Sequence, residues 1–239
     1  MLDYIKFWFR SGAVVVTTLI DSVLVILLTL TIPRRYNYFR HYKRWAGRVL
    51  FFSGVKVKVV GLENINHDET SIYICNHSTL FDIPIVFTAI PENIKIMYKR
   101  ELEKVFIFGW ALKKSPFIPI ERTKPRDAMG SIDEALSSIK ENVSVILFPE
   151  GTRSKDGILR PFKRGAFLLA SRSGKPIVPM TIIGSTEILP RRSFRFNRRE
   201  VTVIFHEPIL NPVPLERKDE QVLVDKVFTI IKNTLEQNH

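Results

Sequence analysis

The chain has 239 residues, 45% of them apolar and 25% charged, which is enough for one folded domain with a sizeable core and excludes a disordered protein. Lysine and arginine number 36 against 24 acidic residues. The formal net charge of +12 predicts an anionic partner: nucleic acid, an acidic membrane surface or a phosphorylated substrate. The single cysteine, Cys75, excludes an intrachain disulfide, cysteine-based zinc sites and iron–sulfur clusters.

The first predicted element is an apolar run from Ala13 to Ile32, whose only charged residue is Asp21. About 20 such residues can span a bilayer, although a carboxylate at mid-bilayer costs about 2.5–3.5 kcal/mol on insertion scales. Pro33 and two arginines follow where a secretory signal would have a cleavage site of small residues. The run can therefore span a membrane, lie within one leaflet, or form a buried core helix.

Residues 36–52 predict an amphipathic helix, because aromatic and aliphatic residues recur at helical spacing while Arg and Lys fall largely on another side. Such a helix suits the headgroup boundary of an anionic leaflet. Since Lys and Arg are concentrated just after the apolar run, we expect the rest of the chain on the cytoplasmic side of the cell membrane. We therefore predict a membrane-anchoring helical segment at 1–53 and a second domain at 54–239. The alternative is a core helix followed by an amphipathic surface helix.

Beyond Ser53, short β-rich runs alternate with helical patterns. The predicted strands are 55–60, 71–75, 94–98, 117–120, 143–148, 177–183 and 201–205. Helices are predicted to begin near Ile83, Ala128, Gly165 and Asp219. This alternation predicts an α/β domain with a mixed, largely parallel sheet flanked by helices.

The segment after the second predicted strand contains the first candidate catalytic residues, His77 and Asp82. His77 lies in the turn that leaves the strand, and Asp82 is predicted to cap the next helix. An offset of five residues separates two side chains on a continuous helix, whereas a strand, turn and helix can bring them together. A neutral imidazole can then take a proton from an alcohol, while the carboxylate fixes its tautomer and stabilises the imidazolium.

Other interpretations of this segment stay open from the sequence. Asp82 can simply cap a helix while His77 bonds to local backbone groups. Cys75 would share a face with His77 if the strand continued, but a lone cysteine in a strand is usually a small buried residue. The sequence has no Gly-x-Ser-x-Gly elbow and no His-Glu-x-x-His pair, so it predicts neither a serine nucleophile nor a metal site.

The second candidate is the segment Phe-Pro-Glu-Gly-Thr-Arg, which begins at Phe148 where the strongest predicted strand ends. Gly151 permits a tight turn with backbone N–H groups facing a ligand, and Arg153 can hold a phosphate bidentately. The helix that opens after Lys163 adds N-terminal donors. Glu150 would repel a phosphate if exposed, so we expect it to bond to an acceptor hydroxyl or to brace Arg153. A surface turn with a solvated Glu–Arg pair is the alternative.

Two further basic residues, Lys99 and Arg122, follow other predicted strands, although each by itself is more simply a solvated charge. Taken in order, these segments resemble the glycerolipid acyltransferase family, and within it the 1-acyl-glycerol-3-phosphate acyltransferases. Its Asn-His-x-x-x-x-Asp motif matches residues 76–82, and its Phe-Pro-Glu-Gly-Thr-Arg motif matches 148–153 without a change. Lys-x-Glu-Leu at 99–102, Ile-x-Arg at 120–122 and an apolar residue before Pro179 complete the match, which runs from about residue 61 to 208.

The resemblance implies a single displacement with no cofactor and no metal. His77, oriented by Asp82, would take the proton from the sn-2 hydroxyl of lysophosphatidate, and the oxygen would attack the thioester of acyl-CoA or acyl carrier protein. Backbone N–H groups near His77 or Gly151 would stabilise the oxyanion. The implied catalytic residues are His77 and Asp82. The implied substrate-binding residues are Asn76, Lys99, Arg122, Glu150, Gly151, Thr152 and Arg153. Of these, Lys99, Arg122 and Arg153 would bind the phosphate.

Two alternative functions stay open. One is acyl transfer to glycerol-3-phosphate or to another lysolipid. The other is a non-catalytic basic binder of membranes or nucleic acid, suggested by residues 191–199, where five arginines alternate with Phe194 and Phe196. Because a basic run by itself specifies no groove, we expect an anionic membrane surface as the partner and no nucleic acid.

Overall fold

The computed structural model describes residues 2–31, 38–120, 125–154, 157–188, 199–210 and 217–238. The α-helices in these ranges are α1 (Leu2–Thr31), α2 (Tyr38–Ser53), α3 (Asp82–Ala89), α4 (Phe108–Lys114), α5 (Pro125–Lys140), α6 (Arg164–Ser173) and α7 (Arg217–Gln237). The strands are β1 (Lys56–Val60), β2 (Ile72–Cys75), β3 (Ile94–Lys99), β4 (Ile118–Ile120), β5 (Ser144–Leu147), β6 (Ile177–Ile183) and β7 (Glu200–Phe205). Every predicted strand is present, with ends that differ by at most one residue.

The strands form one sheet in the order β1-β7-β6-β2-β5-β3-β4. Each neighbouring pair is parallel except β6 and β7, which are antiparallel. Parallel neighbours need long crossover connections, and the helices between the strands supply them. The predicted mixed, largely parallel sheet flanked by helices is confirmed.

Both faces of the sheet are covered, as the fully buried strand β2 illustrates. Tyr73 and Cys75 belong to the core on the side of α2 and α3, whereas Ile72 and Ile74 pack into the core formed with α5, α6 and α7. Successive side chains of a strand point to opposite faces. A strand that is covered on both sides therefore reads as a continuous apolar run.

The N-terminal helices α1 and α2 pack against each other. The face of α2 that contains Ala46, Val49 and Leu50 is part of the core beside α3. Residues Phe7–Thr31 of α1 are long and apolar enough to cross a membrane by length and composition, and 22% of an apolar window of 18 residues within them is buried inside the protein. Most of its large aliphatic side chains are exposed to the surroundings of the protein.

Asp21, the charged residue of the apolar run, has partners on α2. Its Oδ1 accepts a hydrogen bond from Arg48 at 2.5 Å and lies 3.2 Å from Nε2 of His41. One turn earlier, Nε1 of Trp45 donates to the hydroxyl of Thr18 at 3.2 Å. A buried carboxylate is tolerated when a cation and hydrogen bonds compensate its desolvation, so these contacts explain how Asp21 is accommodated in an apolar helix.

One region was not predicted at all, the connection between β3 and β4. It contains a 3-10 helix, Arg100–Lys104, followed by α4. Seven residues are too few for a clear helical period. Gly109 is required there by a close approach, because a Cβ at this position would lie 2.3 Å from the carbonyl oxygen of Glu103.

Candidate active site

The predicted site residues converge because they follow the ends of neighbouring parallel strands. Strand β2 ends just before Asn76, its neighbour β5 ends just before Phe148, and β3, which pairs with β5, ends at Lys99. The carboxyl ends of parallel strands lie at the same edge of a sheet, where α/β proteins commonly bind ligands. Segments that are distant in the sequence therefore meet around one opening.

His77 and Asp82 form a direct pair. Nδ1 of His77 lies 2.7 Å from Oδ2 of Asp82, whose side chain is fully buried, whereas the imidazole is partly exposed. The same Oδ2 accepts the backbone N–H groups of Ser78 at 2.6 Å and Thr79 at 2.9 Å. These three contacts hold the turn close to the carboxylate and orient Nδ1 of His77 toward it. The other ring nitrogen, Nε2, is then the one that can contact a substrate.

The sequence analysis predicted that Asp82 caps the following helix, and this detail is wrong. Helix α3 does begin at Asp82, but the N-cap position is Phe81, which makes no side-chain capping hydrogen bond. The carboxylate is turned back onto the N–H groups of the preceding turn. Its local role is therefore to hold the loop that carries His77, and capping of α3 is not part of it.

Glu150 is buried and joins two loops. Its Oε1 accepts the backbone N–H of His77 at 2.8 Å, and its Oε2 accepts that of Arg160 at 2.9 Å. Burial raises the pKa of the Glu150 carboxyl above its ordinary value of 4.5, and the hydrogen bonds from the two N–H groups oppose that rise. Both carboxylate oxygens are thus used by main-chain donors, so bonding to an acceptor hydroxyl stays a prediction.

Two further contacts attach the His77 turn to the segment after β5. The backbone N–H of Ser154 donates to the carbonyl oxygen of His77 at 2.8 Å. The ring of Phe148 stacks on the imidazole of His77, with centroids 4.3 Å apart and planes inclined by 27°. The imidazole is therefore oriented by a carboxylate at one nitrogen and by an aromatic ring against its face.

The side chain of Asn76 connects the end of β2 to the end of β6 through two hydrogen bonds. Its amide donates to the carbonyl oxygen of Ile182 at 2.9 Å and accepts the N–H of Ile182 at 2.8 Å. The side chain is buried, so its substrate-binding role stays a prediction. The neighbouring Cys75 is fully buried, and burial raises the pKa of its thiol well above the ordinary value, which disfavours the thiolate that a catalytic cysteine needs.

The basic side of the site lies beyond Gly151, which has a φ of +74°. This backbone conformation favours glycine, and the absence of a Cβ leaves room for Nζ of Lys163, which would lie 3.0 Å from one. The backbone N–H of Lys163 donates to the carbonyl oxygen of Pro149 at 2.9 Å, which brings the start of α6 to the same turn. Lys163 was not among the predicted site residues. The signal in the sequence for its contact with the Gly151 turn was its position directly before the predicted helix.

One cavity of about 960 Å³ connects the two sides. His77, Lys99, Arg153 and Lys163 all line it, as do Gly151 and Thr152. The side chains of Lys99, Arg153 and Lys163 are exposed, and Lys99 lies 2.9 Å from Glu101. Arg122, the remaining predicted phosphate ligand, lies outside the described residues.

Away from His77 the cavity continues toward the N-terminal helices. Its walls there are largely apolar and come from α2, α3, β3 and α4; examples are Trp45, Phe87, Ile96 and Leu112. Asp21 and Ser22 of α1 line it too. A volume near 1,000 Å³ is at the upper end for small-molecule sites. The cavity therefore combines a polar end that can hold an anion with an apolar extension that suits hydrocarbon.

Oxyanion donors near His77 or Gly151 stay a prediction, because four of the N–H groups there already have partners within the protein. The N–H groups of His77, Ser78 and Thr79 donate to carboxylates, and that of Gly151 donates to the carbonyl oxygen of Phe148. An N–H that is already bonded within the loop is poorly available to a developing oxyanion. These four groups hold the loops in shape.

Comparisons with known proteins point to one family. Residues 56–183 match the family described as Acyltransferase. The chain is 33% identical over 201 residues to the chloroplastic 1-acyl-sn-glycerol-3-phosphate acyltransferase BAT2 of Brassica napus, covering 83% of this chain and 58% of BAT2. It is 35% identical over 175 residues to the chloroplastic 1-acyl-sn-glycerol-3-phosphate acyltransferase LPAT1 of Arabidopsis thaliana, covering 72% of this chain and 49% of LPAT1. The matches thus span about half the length of these two relatives.

A solved structure shares the fold. The crystal structure of the 1-acyl-sn-glycerophosphate acyltransferase PlsC from Thermotoga maritima superposes with a TM-score of 0.78, covering 98% of this chain and 96% of PlsC at 24% identity. That coverage includes the N-terminal helices as well as the sheet. The resemblance predicted from the motifs is therefore supported by sequence and by fold.

Proposed function

The chain belongs to the acyltransferase family, and on that premise we propose that it transfers a fatty acyl group from a thioester to the sn-2 hydroxyl of 1-acyl-glycerol-3-phosphate, giving phosphatidate. The observation that carries the proposal is the contact between His77 and Asp82, with His77 lining the same cavity as Lys99, Arg153 and Lys163. A base beside an anion site is what the acylation of a phosphorylated alcohol requires. The names of the relatives from Brassica napus and Arabidopsis thaliana point to the same reaction.

In the proposed mechanism, Nε2 of His77 takes the proton of the acceptor hydroxyl while the oxygen attacks the thioester carbonyl. Asp82 stabilises the imidazolium that forms, because its carboxylate faces Nδ1 at 2.7 Å. The tetrahedral intermediate then expels the thiolate, and His77 returns the proton to it. The C–O bond forms, the C–S bond breaks, and no acyl-enzyme is needed because thioesters are already activated. Positioned base catalysis of this kind contributes about 10²–10⁴-fold.

We propose Arg153 and Lys163 as the main phosphate ligands, joined by Lys99 and by Arg122, which lies outside the described residues. Their support is that the first three line the cavity with His77 and extend exposed, cationic side chains. Guanidinium and ammonium groups bind phosphate through charge-assisted hydrogen bonds. Gly151 and Thr152 belong to the same turn and would shape this part of the site.

The proposed acyl donor is acyl-CoA or acyl carrier protein, both of them acidic, and the donor panel below distinguishes them. The net charge of +12 favours either. Acyl transfer to glycerol-3-phosphate is the second candidate acceptor reaction. The names of the relatives favour lysophosphatidate as the acceptor, and the apolar extension of the cavity can hold the acyl chain of either the donor or the acceptor.

For the location, we propose that residues 1–53 anchor the chain to the cytoplasmic face of the cell membrane, with α1 embedded in one leaflet. A spanning α1 would draw its packing partner α2, with Arg40, Lys43 and Arg44, toward the bilayer core, where such charges are costly. In the plane of the interface, the exposed apolar face of α1 meets acyl chains while these basic residues meet headgroups.

The test is a panel of donors and acceptors with the detergent-purified protein. Acyl-CoA or acyl carrier protein is combined with lysophosphatidate, glycerol-3-phosphate or a phosphate-free lysolipid, and the release of free thiol is followed. His77→Ala is expected to reduce turnover by about 10²–10⁴-fold. The matched control is His67→Ala, because His67 is an exposed histidine that lies 3.3 Å from Glu92 and does not line the cavity. Full activity of His77→Ala, or equal use of phosphate-free acceptors, would refute the proposal.

A further inference from the structure

The turn between the 3-10 helix Arg100–Lys104 and α4 exposes an apolar surface. We call this surface the aromatic corner and define it by Leu102, Val105, Phe106 and Trp110. Phe106 is 70% exposed and Trp110 is 51% exposed, and their rings meet edge to face with centroids 4.9 Å apart. Scattered apolar side chains are normal on protein surfaces, whereas exposed apolar residues that lie together are candidates for a site of interaction.

The backbone of the aromatic corner is held in a specific conformation by contacts within the protein. Ile107, between Val105–Phe106 and α4, has a φ of 61° and a ψ of −60°, and the N–H of Phe108 donates to the carbonyl oxygen of Phe106 at 2.7 Å. A γ-turn of this hand is rare, and positive φ is unfavourable for a β-branched residue. Such strain persists where the surroundings enforce it. Here Gly109 packs against the backbone of Glu103, and the hydroxyl of Tyr98 donates to Glu103 at 2.9 Å.

The position of the aromatic corner relates it to both the cavity and α1. Leu102 and the inner face of α4, through Phe108 and Leu112, line the cavity that contains His77. Helix α4 also packs against α1, whose outer face is the apolar surface proposed to lie in the membrane. The elements that carry the aromatic corner therefore adjoin both the cavity and α1.

The charges around the aromatic corner fit one kind of partner. Lys104, Lys113 and Lys114 are exposed on the elements that carry it, and Lys113 lies 3.8 Å from Glu103. Aromatic side chains next to lysines suit the interface of an anionic bilayer, where the rings lie among the headgroups and the ammonium groups meet phosphate.

From these observations we infer that the aromatic corner inserts into the anionic lipid interface as a second contact point beside α1, so that the cavity opens toward lysolipid in the leaflet. The inference rests on the proposed function for its substrate. It adds that membrane docking extends beyond residues 1–53 into the α/β domain. A lysolipid can then move from the leaflet into the cavity without its acyl chain crossing bulk water.

The first test places a fluorescent label at the aromatic corner. Cys75 is fully buried, so a single introduced cysteine can be labelled with a polarity-sensitive dye. Phe106→Cys is compared with Val222→Cys, a residue of α7 that is 65% exposed and lies on the other side of the sheet. On vesicles of phosphatidylcholine and phosphatidylglycerol, we expect a blue shift and quenching by bromine-labelled acyl chains at position 106 only. Equal signals at both positions on vesicle-bound protein would overturn the inference.

The second test separates docking from catalysis. The double variant Phe106→Ser, Trp110→Ser is expected to raise KM for lysophosphatidate in vesicles about tenfold. The variant lacks the two aromatic side chains whose transfer from water into the lipid interface favours binding. The rate on a short-chain, water-soluble lysophosphatidate should be unchanged. The conservative pair Phe106→Leu, Trp110→Phe should retain most of the vesicle activity, and Val222→Ser all of it. Equal losses on both substrates would mean that the aromatic corner only shapes the cavity.

Two other outcomes are informative. If the double variant converts a dimer into a monomer in sedimentation while the vesicle signals stay unchanged, the partner is a second copy of the chain and the inference is wrong. If the wild type transfers no acyl group but position 106 still shifts and is quenched, the proposed function fails and the membrane contact stands.

Discussion

The two sides of the cavity differ in how their side chains are held. Asp82 is fully buried and its Oδ2 accepts three hydrogen bonds, while His77 is bonded through its N–H, its carbonyl oxygen and its ring. Arg153 and Lys163, on the basic side, extend exposed side chains from a turn and from the start of α6. The contrast teaches that the proposed base is held in position by the protein itself, whereas the proposed phosphate ligands have exposed side chains that can adapt to a substrate.

This difference has a physical reason. Proton transfer depends steeply on distance and angle, so a general base gains from rigid supports. A phosphate presents three equivalent oxygens and a charge that acts over several ångströms, so long cationic side chains can bind it from several rotamers. We therefore expect substitutions on the rigid side to reduce kcat and substitutions on the basic side to raise KM.

The largest effect that tests the contrast is expected from Asp82→Asn. The amide keeps the size of the side chain but loses the charge that stabilises the imidazolium, so kcat should fall by about 10²–10⁴-fold. Asp68→Asn, at an exposed position, is the control and should leave kcat unchanged. The thermal transition should show that both variants are folded. Wild-type turnover in a folded Asp82→Asn protein would mean that His77 works without its carboxylate.

On the basic side, Arg153→Ala and Lys163→Ala should each raise KM for lysophosphatidate by about 10–100-fold, because a hydrogen bond to a charged group contributes about 1.5–3 kcal/mol. Added salt should mimic part of this effect in the wild type. Arg172→Ala, which removes an exposed arginine 3.2 Å from Asp133 on the other side of α6, is the control. A change in kcat with KM unaltered would contradict the assigned difference between the two sides.

A smaller effect on the rigid side is expected from Phe148→Leu. The variant keeps an apolar contact under the imidazole but loses the stacked ring at 4.3 Å. Stacked ring pairs contribute about 0.5–1.5 kcal/mol beyond their burial, so kcat should fall about two- to tenfold with KM unchanged. Measuring kcat from pH 5 to pH 9 also tests whether the ring tunes His77, since a shifted pH profile would reveal that role.

The smallest effect on the rate is expected from Glu150→Gln, which acts mainly on stability. The variant loses one of two hydrogen bonds to backbone N–H groups, which should reduce the free energy of unfolding by about 1–3 kcal/mol at low pH. Burial raises the pKa of Glu150 in the folded protein above its ordinary value of 4.5. The advantage of the wild type over Glu150→Gln in unfolding free energy is therefore largest below pH 4.5, and it decreases as pH rises through the folded pKa.

The measurement is urea unfolding of wild type and Glu150→Gln at several pH values from 4 to 8. Their difference in unfolding free energy should narrow as pH rises, since Gln does not ionise. A difference that widens with pH would mean that the two N–H groups lower the pKa of Glu150 more than burial raises it. In that case Glu150 would act as a stabilising anion.

Much of the fold could be predicted from the sequence because the relevant signals are local. The seven strands were visible as short β-rich runs, and their alternation with helical patterns indicated the parallel sheet. The connection from Lys99 to Ile118 was missed, since a 3-10 helix, a γ-turn and a seven-residue helix have no common period. The membrane role of residues 1–53 and the cationic cluster at 191–199 stay predictions, and most of that cluster lies outside the described residues.

For the site, the sequence by itself determined which groups are proposed to react or bind: a histidine five residues before an aspartate, and a Phe-Pro-Glu-Gly-Thr-Arg segment after a strong strand. Only the tertiary structure decided what Glu150 and Asn76 bond to, that Lys163 joins the basic side, and that Asp21 meets Arg48. The reason is that motifs record which chemical groups are present. The partners of buried polar groups depend on which strand ends and helix faces the fold brings together.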